Sequence, residues 1–301
     1  MASRLAVAQT PPRDAHARGD RRGAGTMVAR STEPPDDTAE PPLLTSVEDG
    51  VLLARLNRPQ AMNALNAHII SLLLDAVDEA NECDVVRALL VTGEGRGFCA
   101  GADVGDISSR DRGAGSRRQR MDRRGLSGDA VEAFARCEVP IIAAVNGPAV
   151  GAGFGLALCC DVRFLAASAR MGTIFIKRGL AADYGASYWL PRIVGYARAV
   201  ELFYSGDLLD AERCLELGLA SEVVPDDQLL ERALEYARGI AAGPPLGYTG
   251  VRRMLMRGTE LPLSHYIEYE WTTQLGQRGS EDAREGFRAF LERRDPHFEG
   301  R

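Results

Sequence analysis

Asn146-Gly147-Pro148-Ala149-Val150-Gly151-Ala152-Gly153 follows the apolar run Ile141-Ile142-Ala143-Ala144-Val145, and this junction decides how the chain folds. An apolar run closed by Asn-Gly-Pro reads as a buried strand that ends in a tight turn. Small residues beyond the turn let backbone approach a ligand, and a helix that begins there leaves its first amides without intrahelical partners. Gly97-Phe98-Cys99-Ala100-Gly101-Ala102-Asp103 repeats the arrangement fifty positions earlier, after Val85-Val86-Arg87-Ala88-Leu89-Leu90-Val91. Two such turns with converging amides would stabilise negative charge on a carbonyl oxygen, as an oxyanion hole does.

Outward from these junctions, Val51-Leu52-Leu53-Ala54-Arg55-Leu56 reads as a strand. Asn66 fits the N-cap of a helix in which Ile69, Ile70, Leu72, Leu73, Ala76, Val77 and Ala80 recur at helical spacing. Strand and helix signals alternate to about Val224, which predicts an α/β core. Beyond it the chain reads as helix only, near Asp227–Ala242, Leu246–Arg257, Leu263–Gln277 and Ser280–Arg294. The division expected is therefore 1–42 as a disordered extension, 43–225 as core and 226–301 as a helical segment. The extension is rich in Arg, Ala, Pro, Gly and Asp. It resembles a transit peptide only loosely, since Asp14 and Asp20 interrupt its basic part, and Met27 offers a second start.

Composition narrows the function classes. A net charge of −6 argues against nucleic acid as the main partner. The 22 residues Val139–Cys160 carry no charge, but Asn146-Gly147-Pro148 breaks them into a buried strand, a turn and a buried helix, so no membrane span is expected. Cys83, Cys99, Cys137, Cys159, Cys160 and Cys214 lack metal-ligand spacing and sit among small or apolar residues, as reduced core thiols of a cytoplasmic protein would. No metal site is indicated. Gly93–Gly97 and Gly151–Gly155 lack the dinucleotide spacing, and there is no G-x-S-x-G elbow.

Phe98–Asp103 and Asn146–Gly153 resemble the two signature segments of the crotonase superfamily, the enoyl-CoA hydratase/isomerase family. Leu56-Asn57-Arg58-Pro59 with Met62–Asn66, Leu217–Val224 and Glu285–Arg294 are similar to further stretches in the family's order, so the resemblance runs from about Leu43 to Arg301. It implies an α/β fold with a ββα spiral core and a C-terminal helical trimerisation segment. It also implies a homotrimer or dimer of trimers, and a coenzyme A thioester as substrate with no separate cofactor. By the same resemblance the thioester oxygen would lie between the backbone amides of Ala102 and Ala152. Arg58, Ala61, Ala100, Gly101, Asp103 and Gly147 would hold the pantetheine and adenine, and Phe290 and Arg293 would reach the CoA of a neighbouring subunit. The arginine-rich run Arg110–Arg124, an exposed loop by composition, would lie near the acyl pocket and the CoA phosphates.

The resemblance breaks at the acids. The two hydratase glutamates match Gly155 and Phe175, which cannot ionise. Gly179-Leu180-Ala181-Ala182-Asp183-Tyr184-Gly185-Ala186-Ser187 instead resembles a segment with an aspartate that serves as proton shuttle in double-bond isomerases and as nucleophile in aryl-CoA dehalogenases. Phe175, Tyr184, Tyr188 and Trp189 would bracket Asp183 and raise its pKa. Its side chain could also cap the helix that follows. Asp103 is expected to bond its own turn, Asp161 to order the next strand, and Asp106 is a weaker pocket candidate. The leading expectation is isomerisation of an enoyl-CoA double bond by Asp183. The alternatives are a hydratase or lyase with atypical acids, a hydrolase using Asp183 as nucleophile, and a non-catalytic acyl-CoA binding subunit.

Overall fold

Leu43–Glu48 (β1) and Val51–Leu56 (β2) form an antiparallel hairpin in a computed structural model that describes residues 40–103, 105, 123–258 and 260–301. Residues 1–39, Asp106 and most of the arginine-rich run lie outside the described residues. Asp49 and Gly50 join the hairpin at φ 50° and 77°, the left-handed pair that a two-residue turn requires. β1 was not expected from the sequence. It is an edge strand exposed from Thr45 onward, so it lacks an apolar run.

Ala67–Glu82 (α1) starts where Asn66 accepts the Ile69 amide at 2.9 Å, and it buries Ile69, Ile70, Leu73, Ala76, Val77 and Ala80 as the spacing predicts. Ala88–Gly93 (β3) begins three residues later than the apolar run. The Arg87 and Ala88 amides both bond the Gly50 carbonyl, at 2.7 and 3.2 Å, so the preceding residues form the approach to the strand. Gly125–Arg136 (α2) leads to Ile141–Val145 (β4), Ala149–Val150 (β5) and Ala152–Cys159 (α3). This is the strand, turn and helix expected of the uncharged stretch. Every residue of α3 is buried, which suits a helix that is apolar all round.

Next come Val162–Ala166 (β6), Arg170–Gly172 (β7), Ala186–Val194 (α4), Tyr196–Ser205 (α5), Leu208–Asp210 (β8), Ala211–Glu216 (α6) and Glu222–Val224 (β9). One sheet runs in the order β1-β2-β3-β4-β6-β9 and is parallel from β2 onward; a smaller one runs β5-β7-β8. Strands β3 and β4 are buried almost throughout, the pattern of parallel strands covered on both faces. Among the described residues no helix is long and apolar enough to cross a membrane.

The chain ends in Leu229–Ala241 (α7), Pro245–Gly258 (α8), Leu263–Arg278 (α9) and Glu281–Glu292 (α10). α7 differs from the other three. Its Leu229, Ala233, Ala237 and Ala241 form a buried stripe, and it packs on the large sheet as part of the core. α9 buries none of its residues.

Candidate active site

One buried and one half-buried side-chain amide hold the first glycine turn. Asn63 donates to the carbonyls of Glu94 (3.0 Å) and Gly97 (2.7 Å) and accepts the Arg58 amide at 2.9 Å. Asn146 accepts the Gly93 amide at 3.2 Å and donates to the Gly95 carbonyl at 2.9 Å. The chain beyond the turn then threads between two neighbours. Cys99 bridges Ala149, with Cys99 N–H on the Pro148 carbonyl and Val150 N–H on the Cys99 carbonyl, both at 3.0 Å. Leu65 bridges Ala102, donating to the Gly101 carbonyl and accepting the Asp103 amide, both at 2.8 Å. In a parallel bridge of this form the central residue's own N–H points the other way, so the Ala102 amide is directed away from Leu65.

Ala152 opens α3 behind Gly151, which bonds the Gly172 carbonyl and gives no side-chain cap. Neither the Ala102 nor the Ala152 amide has a hydrogen-bond acceptor among the described residues. Gly153 permits their approach: a Cβ there would stand 2.1 Å from the Cys99 carbonyl oxygen. Both residues line a cavity of about 200 Å³ with Ala100, Gly101, Gly151, Ile174, Phe175, Arg178, Leu180, Ala181 and Asp183.

Asp183 carries the only carboxylate among the described residues that line this cavity. It stands at the mouth with one side exposed, and burial of the other raises its pKa above the usual value of 3.8, partly offset by its own backbone amide. The side chain does not cap the next helix. Gly185 occupies the N-cap of α4 at φ 71°, and Asp183 contributes its backbone carbonyl to Ala186 N–H at 3.1 Å. Of the expected aromatic surround, Phe175 lines the cavity and Tyr184 is buried beside it. Tyr188 and Trp189 instead line a separate groove of about 1010 Å³, where their rings meet edge to face and Tyr188 Oη donates to Glu260 at 3.1 Å. They are one turn into α4, which carries them to another side.

The other candidates separate by location. Arg58 pairs with Asp103 at 2.9 Å and donates to the Ala64 carbonyl at 3.0 Å, while Asp103 also accepts the Gly105 amide at 3.0 Å. Ala61 ends the short turn Pro59–Ala61 outside the cavity lining, and Gly147 is buried against Arg96 and Gly97. Phe290 and Arg293 are remote, at the end of α10, with Phe290 81% exposed. Asp161 orders β4 rather than the strand after it, accepting the Ile141 amide at 2.8 Å. The sequence reading missed Asn63 and Asn146 as turn supports, although both stand beside the motifs.

Comparison with known proteins identifies the family. The Enoyl-CoA hydratase/isomerase family model matches residues 46–301. The chain is 36% identical over 260 residues to 1,2-epoxyphenylacetyl-CoA isomerase of Escherichia coli K12, covering 86% of this chain and 98% of that one. It is 35% identical over 259 residues to 2,3-dehydroadipyl-CoA hydratase of the same organism, covering 86% and 99%. Among solved structures, an enoyl-CoA hydratase from Bacillus anthracis superposes with a TM-score of 0.80 at 30% identity, covering 87% of this chain and 100% of that one. The chain belongs to the enoyl-CoA hydratase/isomerase family.

Proposed function

We propose that the chain seats an acyl-CoA thioester carbonyl between the Ala102 and Ala152 amides and moves a proton on the resulting enolate with Asp183, isomerising an enoyl-CoA double bond. The two amides lower the energy of the enolate oxygen without reorganising. Asp183 takes a proton from the carbon beside the thioester, or from the γ-carbon of the conjugated isomer, and returns it to the other position. A carboxylate of raised pKa suits this work, being a stronger base when ionised and holding the proton it takes until that proton is returned to the strongly basic enolate carbon. The observation that carries the reading is that Asp183 is the sole described carboxylate in the cavity the two amides share.

The test is proton exchange in deuterated water on a panel of 2-enoyl-, 3-enoyl- and phenylacetyl-type CoA thioesters, with Asp183→Asn in parallel. Exchange or bond migration in the wild type that is lost in the variant is the expected result. Tight binding without exchange would count against it. Hydration is the second reading, favoured by the names of relatives such as 2,3-dehydroadipyl-CoA hydratase. It would give a 3-hydroxyacyl product, whereas isomerisation leaves the mass of the thioester unchanged. We further propose a homotrimer or dimer of trimers, supported by the apolar residues that α9 and α10 leave exposed.

A further inference from the structure

The turn Phe175–Arg178 sends its two basic side chains in different directions. Lys177 donates to Asp207 at 2.8 Å on the outer surface. Arg178 lines the cavity of Ala102, Ala152 and Asp183, and is the only basic residue among the described residues that do so. Arg178 has no hydrogen bond or ion pair among the described residues, so it does not neutralise Asp183, although both charges face the same space. The wall around them is apolar, formed by Ile174, Phe175 and Leu180. A guanidinium exposed at the rim of such a cavity, without a protein partner among the described residues, can meet an anion that the ligand brings.

We propose that Arg178 binds a carboxylate at the far end of the acyl group, so that the substrate is a CoA monothioester of a dicarboxylic acid. The inference rests on the reading above, in which the thioester carbonyl lies at the Ala102 and Ala152 amides. A CoA phosphate is the other anion an arginine could meet. The cavity's volume of about 200 Å³ favours the carboxylate, because it admits a thioester head and a short chain but not an adenosine diphosphate. The planar fork of Arg178 matches two carboxylate oxygens at once, which a lysine could not do.

The test compares binding of three matched pairs of saturated thioesters to the full chain by calorimetry: succinyl- with butyryl-CoA, glutaryl- with pentanoyl-CoA, and adipyl- with hexanoyl-CoA. The wild type is expected to bind the carboxylated member of at least one pair about tenfold or more tightly. Arg178→Leu should erase that preference by weakening the carboxylated thioester alone, and Arg178→Lys should retain part of it. Arg178 is exposed at the residue level, so melting temperatures should match the wild type, and the lysine variant carries the comparison if the leucine variant does not fold. Equal weakening of both members would identify a CoA phosphate contact and overturn the proposal. So would a wild type without preference in any pair. Asp183→Asn separates the two claims: proton exchange that persists in it sinks the proposed reaction while the binding comparison stands.

Discussion

Gly155 and Tyr184 interlock. A Cβ on Gly155 would stand 2.5 Å from the Tyr184 carbonyl oxygen and 2.8 Å from its Cβ, so no side chain fits while the turn that carries Asp183 keeps its place. Tyr184 holds its side at φ 51°, a left-handed conformation that strains a bulky residue. Its hydroxyl is buried without a partner among the described residues. Gly155→Ala should therefore lose about 1–3 kcal/mol of stability, the usual effect of overpacking, and should lower kcat for proton exchange more than it raises KM. Tyr184→Phe removes only the unpartnered hydroxyl, so its melting temperature should equal or exceed that of the wild type. Urea denaturation and exchange kinetics on both variants check the pair. Exchange at the wild-type rate in Gly155→Ala would separate this contact from the placement of Asp183. The carboxyl itself sets a pH limit. It must be ionised to accept a proton, and burial raises its pKa above 3.8, so kcat/KM should fall with decreasing pH through a value higher than that of a free aspartate. A limb at or below 3.8 would point to a different base. That Asp183 would line a cavity with Ala102 and Ala152 was legible in the sequence because its motif is local. The requirement for glycine at 155 was not, because the group that excludes a side chain lies on another segment of the chain.

Among the elements, one coupling runs through Arg252 of α8, a buried arginine that no spacing rule singles out. Its Nε donates to Asp161 at 2.9 Å, and its Nη atoms reach the carbonyls of Phe134 (2.6 Å), Ala135 (3.0 Å) and Cys137 where α2 ends. One guanidinium thus closes the C-terminus of α2, which helix carbonyls favour, and neutralises the aspartate that starts β4. Arg252→Met should destabilise the protein by about 3–5 kcal/mol, since Asp161 would keep a partly buried charge without its partner. Arg252→Met with Asp161→Asn should recover part of that loss, and denaturant unfolding of the single and double variants measures it. Additive losses would show that the two residues act separately. Helices and buried strands were readable because their periods repeat over many residues, as α1 and β4 show. β1 and the Arg252 clamp were not, since each depends on a partner that periodicity does not identify.

The whole chain leaves apolar surface that its own fold does not use. Leu263, Ile267, Trp271 and Leu275 recur every fourth residue along α9, each more than half exposed, and Phe287, Phe290 and Leu291 are exposed on α10. Helical spacing in the sequence shows that such a stripe exists, but only the packed structure shows that it faces outward. A stripe of this kind in water is unfavourable by roughly 25 cal/mol for each Å² that a partner would cover, and contiguous patches of this sort mark interaction sites. The proposed trimer would cover it. Trp271→Glu combined with Ile267→Glu should then shift the protein to monomer in sedimentation velocity, with far-ultraviolet circular dichroism preserved because both side chains are more than half exposed within their own chain. A wild type that sediments as a monomer at micromolar concentration would remove the basis for the assembly. Phe290→Ala probes the site from the same side. If the neighbouring subunit presents Phe290 to bound CoA, this variant should bind acyl-CoA more weakly while remaining assembled. The charge-introducing double variant should then show the same weakening, because without assembly no neighbour is present to supply the ring.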